Sequence, residues 1–190
     1  LRSDHNYTRF LISRSTTQLG AMAAGFYMVF GTDTYDIGGA GVGLFTGVLI
    51  ASVAIMNLVW GIIGDRNGHK FVLTSSAFAM ALAALLALVS GSQTWLVVSF
   101  VLLGAYLAAD QVSALNIILE FCEPEDRPTY IGLTNTLLAP VLILSPILGG
   151  WLATVAGYNG LFVAAVVISL IGGLMMAFWV REPRHIVTTE

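Results

Sequence analysis

Charge is what this sequence has least of. Of its 190 residues only 10% are Asp, Glu, Lys or Arg, against about 25% in a soluble domain. With 57% hydrophobic residues and a mean hydropathy of +0.85, such a chain cannot cover a water-facing surface. Most of its solvent must therefore be lipid. The net charge of -3 says little, because charge position matters more than its sum. Cysteine is nearly absent too. A lone Cys122 excludes an internal disulfide, has no metal-ligand spacing around it, and is expected to be an inert thiol near the membrane surface. The histidines, His5, His69 and His185, are widely separated and lie outside the apolar runs. That placement argues against a metal centre and against an intramembrane protease, which needs a buried histidine. No basic stripe points to nucleic acid. The glycine-rich run from Gly38 to Gly43 follows no strand, so it is not read as a nucleotide loop. No metal and no cofactor is expected.

What the chain does have is long apolar runs. Val42 to Ile63 and Phe71 to Gly91 contain no Asp, Glu, Lys or Arg. Each is long enough to cross a bilayer as a helix, which takes about 20 residues. Both are continuous and twice the length of a barrel strand, which excludes a membrane barrel. The pattern predicts an all-α integral membrane protein with six spans, at about 9–30, 41–63, 71–90, 94–119, 130–155 and 161–180. Gly43, Gly47 and Ala51 recur every four residues and put small side chains on one face of the second span. Trp60, Trp95, Trp151 and Trp179 lie near span ends, as interfacial anchoring predicts. Pro128 suits the first turn of a helix, and Gly157 to Gly160 reads as a tight turn.

Eight basic residues fix an orientation: Arg2, Arg9, Arg14, Arg66, Lys70, Arg127, Arg181 and Arg184. All fall at or near the two ends, the segment between spans two and three, or the 120–129 loop. The opposite loops have none. The excess of positive charge places both termini on the cytoplasmic side, with the plasma membrane as the expected location.

The segment between spans two and three reads Gly61-Ile62-Ile63-Gly64-Asp65-Arg66-Asn67-Gly68-His69-Lys70. It predicts a charged turn of about six residues. Gly64 and Gly68 allow a sharp bend, and Asp65 suits the positive N-terminus of a neighbouring helix. Arg66 and Lys70 hold the turn in the cytoplasm and seek an acid. Glu120, at the cytoplasmic end of the fourth span, is the first candidate. This segment resembles the cytoplasmic loop signature of the major facilitator superfamily, which runs Gly, any, Leu, Ala, Asp, Arg, any, Gly, Arg, Lys. Gly61, Asp65, Arg66, Gly68 and Lys70 match; His69 replaces an Arg and Gly64 an Ala.

The resemblance implies a secondary transporter working by alternating access. It implies six helices as a 3+3 inverted repeat, one half of a twelve-helix fold, and a loop that latches two halves together. This chain is then expected to be a fragment of a longer protein or a protomer of a dimer. The fourth span lacks the Arg of drug-exporting first halves, whereas Ser145-Pro146-Ile147-Leu148-Gly149-Gly150 resembles a fifth-helix antiporter motif. The short tail and the departures in the loop favour the C-terminal half.

Ionisable residues inside spans are functional candidates, because isolated charge in lipid costs several kcal/mol. Asp110 lies about ten residues from the cytoplasmic end of the fourth span, and Arg14 lies at a similar order of depth in the first. In the family the first and fourth helices of each half line the cavity. The resemblance therefore puts Arg14, Gln18, Asp110, Gln111 and Asn116 on a path for a small-molecule substrate and protons. Arg14 and Asp110 could pair, or Asp110 could titrate alone. Asp110 could equally be a structural acid, and Arg14 could snorkel to the interface. Gln18, Asn57 and Asn135 also fit interhelical hydrogen bonds. Pro140 and Pro146 in the fifth span read as a bending point or a static kink. The expected partners are the lipid bilayer, a small-molecule substrate with protons, and a second six-helix half. A non-transporting membrane scaffold or receptor on the same fold is the alternative.

Overall fold

The computed structural model describes residues 5–183, and they are helical almost throughout. Arg2, Arg184 and His185, counted above, lie outside the described residues. The first segment is α1 (His5–Gly20), a 3-10 stretch (Ala21–Phe26) and α2 (Tyr27–Tyr35). Then come α3 (Gly39–Asn67), α4 (His69–Val89), α5 (Gln93–Leu119) and α6 (Arg127–Phe178). Four of these, α3 to α6, are long and apolar enough to cross a membrane.

α6 has 52 residues, and at about 1.5 Å per residue a straight rod of that length would measure roughly 78 Å. It is not straight. Gly157 has φ 69° and ψ -179°, outside the helical region. Its contacts show the direction of the chain on either side. Going up the first arm, Tyr7 meets Thr134 at 2.6 Å, Ser145 donates to the Gln18 carbonyl at 2.9 Å, and Tyr158 donates to Asp33 at 2.6 Å. Coming back, Phe162 packs on Tyr27 with ring centroids 5.2 Å apart, and Asn6 and Arg181 exchange two hydrogen bonds of 2.7 and 3.0 Å. The partners climb from residue 7 to 33 and descend to 6. α6 is therefore a helical hairpin folded at Gly157, with both arms against the first segment. The turn expected at 157–160 is where the chain reverses.

Close approach between α1 and the second arm depends on two missing side chains. A Cβ on Gly172 would lie 2.8 Å from the backbone nitrogen of Thr17, and one on Gly20 would lie 2.8 Å from that of Ser169. α4 packs against α5 and α6, and α3 against α5. Ser52 donates to the Val101 carbonyl at 2.7 Å and Trp60 to that of Ala105 at 2.8 Å. Trp60 is thus a correction to the interfacial reading. It is buried between helices, because α3 continues almost two further turns past it, to Asn67. Trp95, Trp151 and Trp179 do remain exposed.

Two boundaries also shift. The first segment runs on to Tyr35, so the expected loop at 31–40 contracts to residues 36–38. The charged turn between α3 and α4 contracts further. Asp65, Arg66 and Asn67 stay helical, and only Gly68 leaves the helix, at φ 90° and ψ 149°. Its N–H still caps the Gly64 carbonyl at 2.9 Å. Polar residues at a helix end need no separate loop when their side chains already reach water. The small-residue face of Gly43, Gly47 and Ala51 points away from the rest of the chain. A Cβ on Gly43 or Gly47 would meet nothing within 4 Å.

Candidate functional site: a charged pair in the helix bundle

The core has three apolar clusters, and a polar layer lies between the two larger ones. One gathers Tyr27, Phe30, Phe45, Phe100 and Phe162. The other gathers Tyr7, Phe10, Leu73, Ile117 and Met176. Arg14 and Gln18 lie on α1 between the residues of these clusters, one turn apart on the same face. Tyr106 and Asp110 stand one turn apart on α5.

The two faces meet. Arg14 and Asp110 form an ion pair. Gln18 donates to the same Asp110 oxygen, Oδ1, at 3.4 Å and accepts from the Tyr106 hydroxyl at 3.1 Å. Ser145 on α6 fixes the backbone of this turn through the Gln18 carbonyl. Low dielectric strengthens such contacts and makes an unpaired member costly. Of the two readings left open for Arg14, pairing describes it and snorkelling does not: it is 4% exposed. Beside the pair lies a cavity of about 210 Å³ between α1, α5 and α6, walled also by Phe10, Thr134, Asn135 and Leu138.

Arg14, Gln18 and Asp110 are thus brought together, and the other candidates are not. Gln111 faces α3, accepting from Asn57 at 3.2 Å. Asn116 donates to the Val112 carbonyl of its own helix at 2.7 Å. Neither lines the cavity. Tyr106 and Thr134 were not singled out from the sequence. Tyr106 had a usable signal, its position one turn before Asp110; Thr134 had none. Backbone angles stay helical through Pro140 and Pro146, and the break in α6 falls at Gly157 instead.

At the α3–α4 junction the residues divide differently. Asp65 and Arg66 are exposed. Lys70 donates to the Ala177 carbonyl on α6 at 3.0 Å. Gly64 does not bend the chain; it makes room, since a Cβ there would lie 2.8 Å from Nδ1 of His69. His69 itself is buried and hydrogen-bonds Ser113 Oγ through Nδ1 at 3.1 Å. The expectation that no histidine is buried is corrected here. As the first residue of α4, His69 turns its ring inward under Gly64 rather than out to water. Glu120 follows the last residue of α5 as its C-cap and is partly buried. Among the described residues no cluster of His, Cys, Asp and Glu could hold a metal.

Residues 10–189 match the sequence model of the Major Facilitator Superfamily. The chain belongs to the major facilitator superfamily. It is 33% identical over 133 residues to the multidrug resistance protein MdtG of Dickeya zeae, covering 68% of this chain and 31% of that protein. It is 31% identical over 143 residues to the tetracenomycin C resistance and export protein of Streptomyces glaucescens, covering 73% and 26%. A staphyloferrin B transporter of Staphylococcus aureus is 22% identical over 151 residues, covering 77% and 36%. The chain spans between 18% and 36% of the length of the curated relatives it matches. Membership in this superfamily makes the chain an integral membrane protein of a transporter family, not an enzyme.

Proposed function

We propose that this chain is one six-helix half, the C-terminal one, of a secondary active transporter that moves a small molecule by alternating access with proton coupling. The observation that carries this reading is the Arg14–Asp110 pair, held with Gln18 at the wall of a cavity inside the helix bundle. A membrane helix keeps such charges only where they have work or partners. The pair joins the first and fourth spans, equivalent members of a 3+3 inverted repeat, which supports that architecture. Asp110 is the proton site in this reading, since neutralising it would release Arg14 and alter the cavity. Asp65, Arg66 and Glu120 act at the cytoplasmic face, where they would latch a second half of the same chain or a second copy. The distribution of Arg and Lys supports cytoplasmic termini in the plasma membrane. The named relatives support a small exported or imported compound as cargo.

The test is flux through the full-length protein in proteoliposomes under an imposed pH gradient, for wild type and Asp110→Asn. Gradient-dependent flux in wild type that loses its proton dependence in Asp110→Asn supports the reading. Unchanged proton dependence in the variant overturns the coupling. Absence of flux from folded wild-type protein points to the scaffold or receptor alternative.

A further inference from the structure

A second polar cavity lies at the end of the bundle where α3 gives way to α4 and α6 stops. It measures about 270 Å³ and is lined by Asn67, Lys70, Phe71, Thr74, Ala177 and Glu182. None of these residues lines the cavity at the Arg14–Asp110 pair. Its wall holds one charge of each sign. Lys70 uses one of its three ammonium donors on the Ala177 carbonyl, at 3.0 Å. Glu182 follows the end of α6, and its carboxylate lies against Gly68 at the α3–α4 junction. The two hydrogen bonds between Asn6 and Arg181 fix the residue just before it. Both charges are therefore held in place, on opposite sides of one small space.

The same space opens onto an apolar stripe. Phe71, Leu82, Leu85 and Val89 are all exposed, and at about 100° per residue they fall on one face of α4. From Phe71 to Val89 the stripe runs roughly 27 Å, close to the roughly 30 Å of a hydrocarbon layer. A ligand here has to satisfy both a charged end and this face. A free anion would meet Glu182, and a free cation would meet Lys70, each at a cost in a partly desolvated site. A head that carries both signs close together meets neither penalty. A phosphate joined to a primary ammonium fits, with the phosphate towards Lys70 and the ammonium towards Glu182. A quaternary choline head has no N–H to donate to the carboxylate, and an anionic glycerol head brings no positive charge to it.

We propose that this cavity binds the head of a phospholipid bearing a phosphate and a primary ammonium, drawn from the leaflet on this side of the bilayer. The phosphate sits on Lys70 and the Asn67 amide, the ammonium on Glu182, and the acyl chains along the Phe71 stripe. The site needs only that the chain be embedded in a membrane, so it stands apart from the transport reading.

The probes are dioleoyl phosphatidylethanolamine, phosphatidylcholine and phosphatidylglycerol, each titrated into the full-length protein in detergent, with bound lipid counted by native mass spectrometry. The expected result is saturable binding of phosphatidylethanolamine about tenfold tighter than either of the others, the scale of one charge-assisted hydrogen bond. Glu182→Gln should bring phosphatidylethanolamine down to the level of phosphatidylcholine, and Lys70→Gln should weaken all three lipids. Asn67→Glu, at an exposed helix end, sets a carboxylate beside the phosphate. It should also weaken binding, and it keeps the test open should either charge variant fail to fold. Glycerophosphoethanolamine, the same head without chains, separates a lipid from a soluble ligand and should bind far more weakly than the lipid. Equal binding of the three lipids overturns the proposal, as does a phosphatidylethanolamine preference that survives in every folded variant. Binding of the chain-free head as tight as that of the lipid overturns the assignment to the bilayer. Loss of gradient-driven flux with the lipid preference intact sinks the transporter reading and leaves this site.

Discussion

Arg14 and Asp110 are an ion pair whose two members sit at different depths: the guanidinium is almost fully covered, and the carboxylate is one-third open to the cavity. Each has a polar neighbour one turn away, Gln18 and Tyr106, that ties the two helices together again. The pair therefore bears on folding as well as on ligand binding.

Removing one partner should cost more than removing both. Arg14→Ala leaves Asp110 without its cation, and a broken buried pair typically costs about 3–5 kcal/mol. Solvent at the carboxylate should pull this towards the lower end. Arg14→Met combined with Asp110→Leu should recover much of the loss. Thermal unfolding of the four proteins in one detergent gives the coupling directly, and additive losses would show that the pair does not act as a unit.

Gly68 should tolerate no side chain. Its φ of 90° is a conformation that L residues rarely adopt, and a Cβ there would lie 2.7 Å from a Glu182 carboxylate oxygen. Gly68→Ala is expected to cost about 1–3 kcal/mol from backbone strain, with further loss for Gly68→Val. Gly64→Ala should also destabilise, through His69 rather than through the backbone. A Gly64→Ala/His69→Ala double variant no more destabilised than His69→Ala would confirm that route by the same unfolding assay.

Two glycines, Gly172 and Gly47, should behave oppositely. Gly172→Leu forces α1 off the second arm of α6, and overpacking of this kind costs about 1–3 kcal/mol or more. Gly47→Leu has nothing to strike within this chain and should change stability by less than about 0.5 kcal/mol. If flux falls in a Gly47→Leu protein whose thermal midpoint is unchanged, the face of α3 contacts another body. Unchanged flux removes that role.

Cys122 should react slowly with maleimide and faster as pH rises. Burial raises its thiol pKa above the ordinary value, nearby Arg127 lowers it, and Asp126 raises it. Arg127→Gln should therefore slow labelling further at fixed pH. The sign for stability follows: a raised folded pKa contributes stability present below the unfolded value and lost as pH climbs through the folded one. A labelling rate equal to that of a small free thiol across pH 7–9 would contradict the burial.

Much of this architecture was legible because lipid demands long charge-free runs, and Arg14 and Asp110 stand out against such a background. Their pairing needed more than spacing. Ninety-six positions separate the two residues, and the i, i+4 partners Gln18 and Tyr106 gain meaning only once α1 and α5 are known to touch. Gln111 shows the limit: one residue from Asp110, it turns about 100° around the helix and faces α3. Hydropathy also could not find where helices stop. Residues 65–67 are as polar as a loop yet remain helical, because water satisfies their side chains without unwinding the backbone. His69 looked like a surface substitution for Arg, and the space that buries it comes from Gly64 five positions earlier.

The left-handed angle at Gly157 turns α6 back along itself. Were that residue helical, the 21 positions of α6 after it would run on as one rod beyond the roughly 30 Å hydrocarbon layer, and α1 would lose the arm that covers it. One dihedral, at a position with no side chain, decides whether the second arm returns to cover α1.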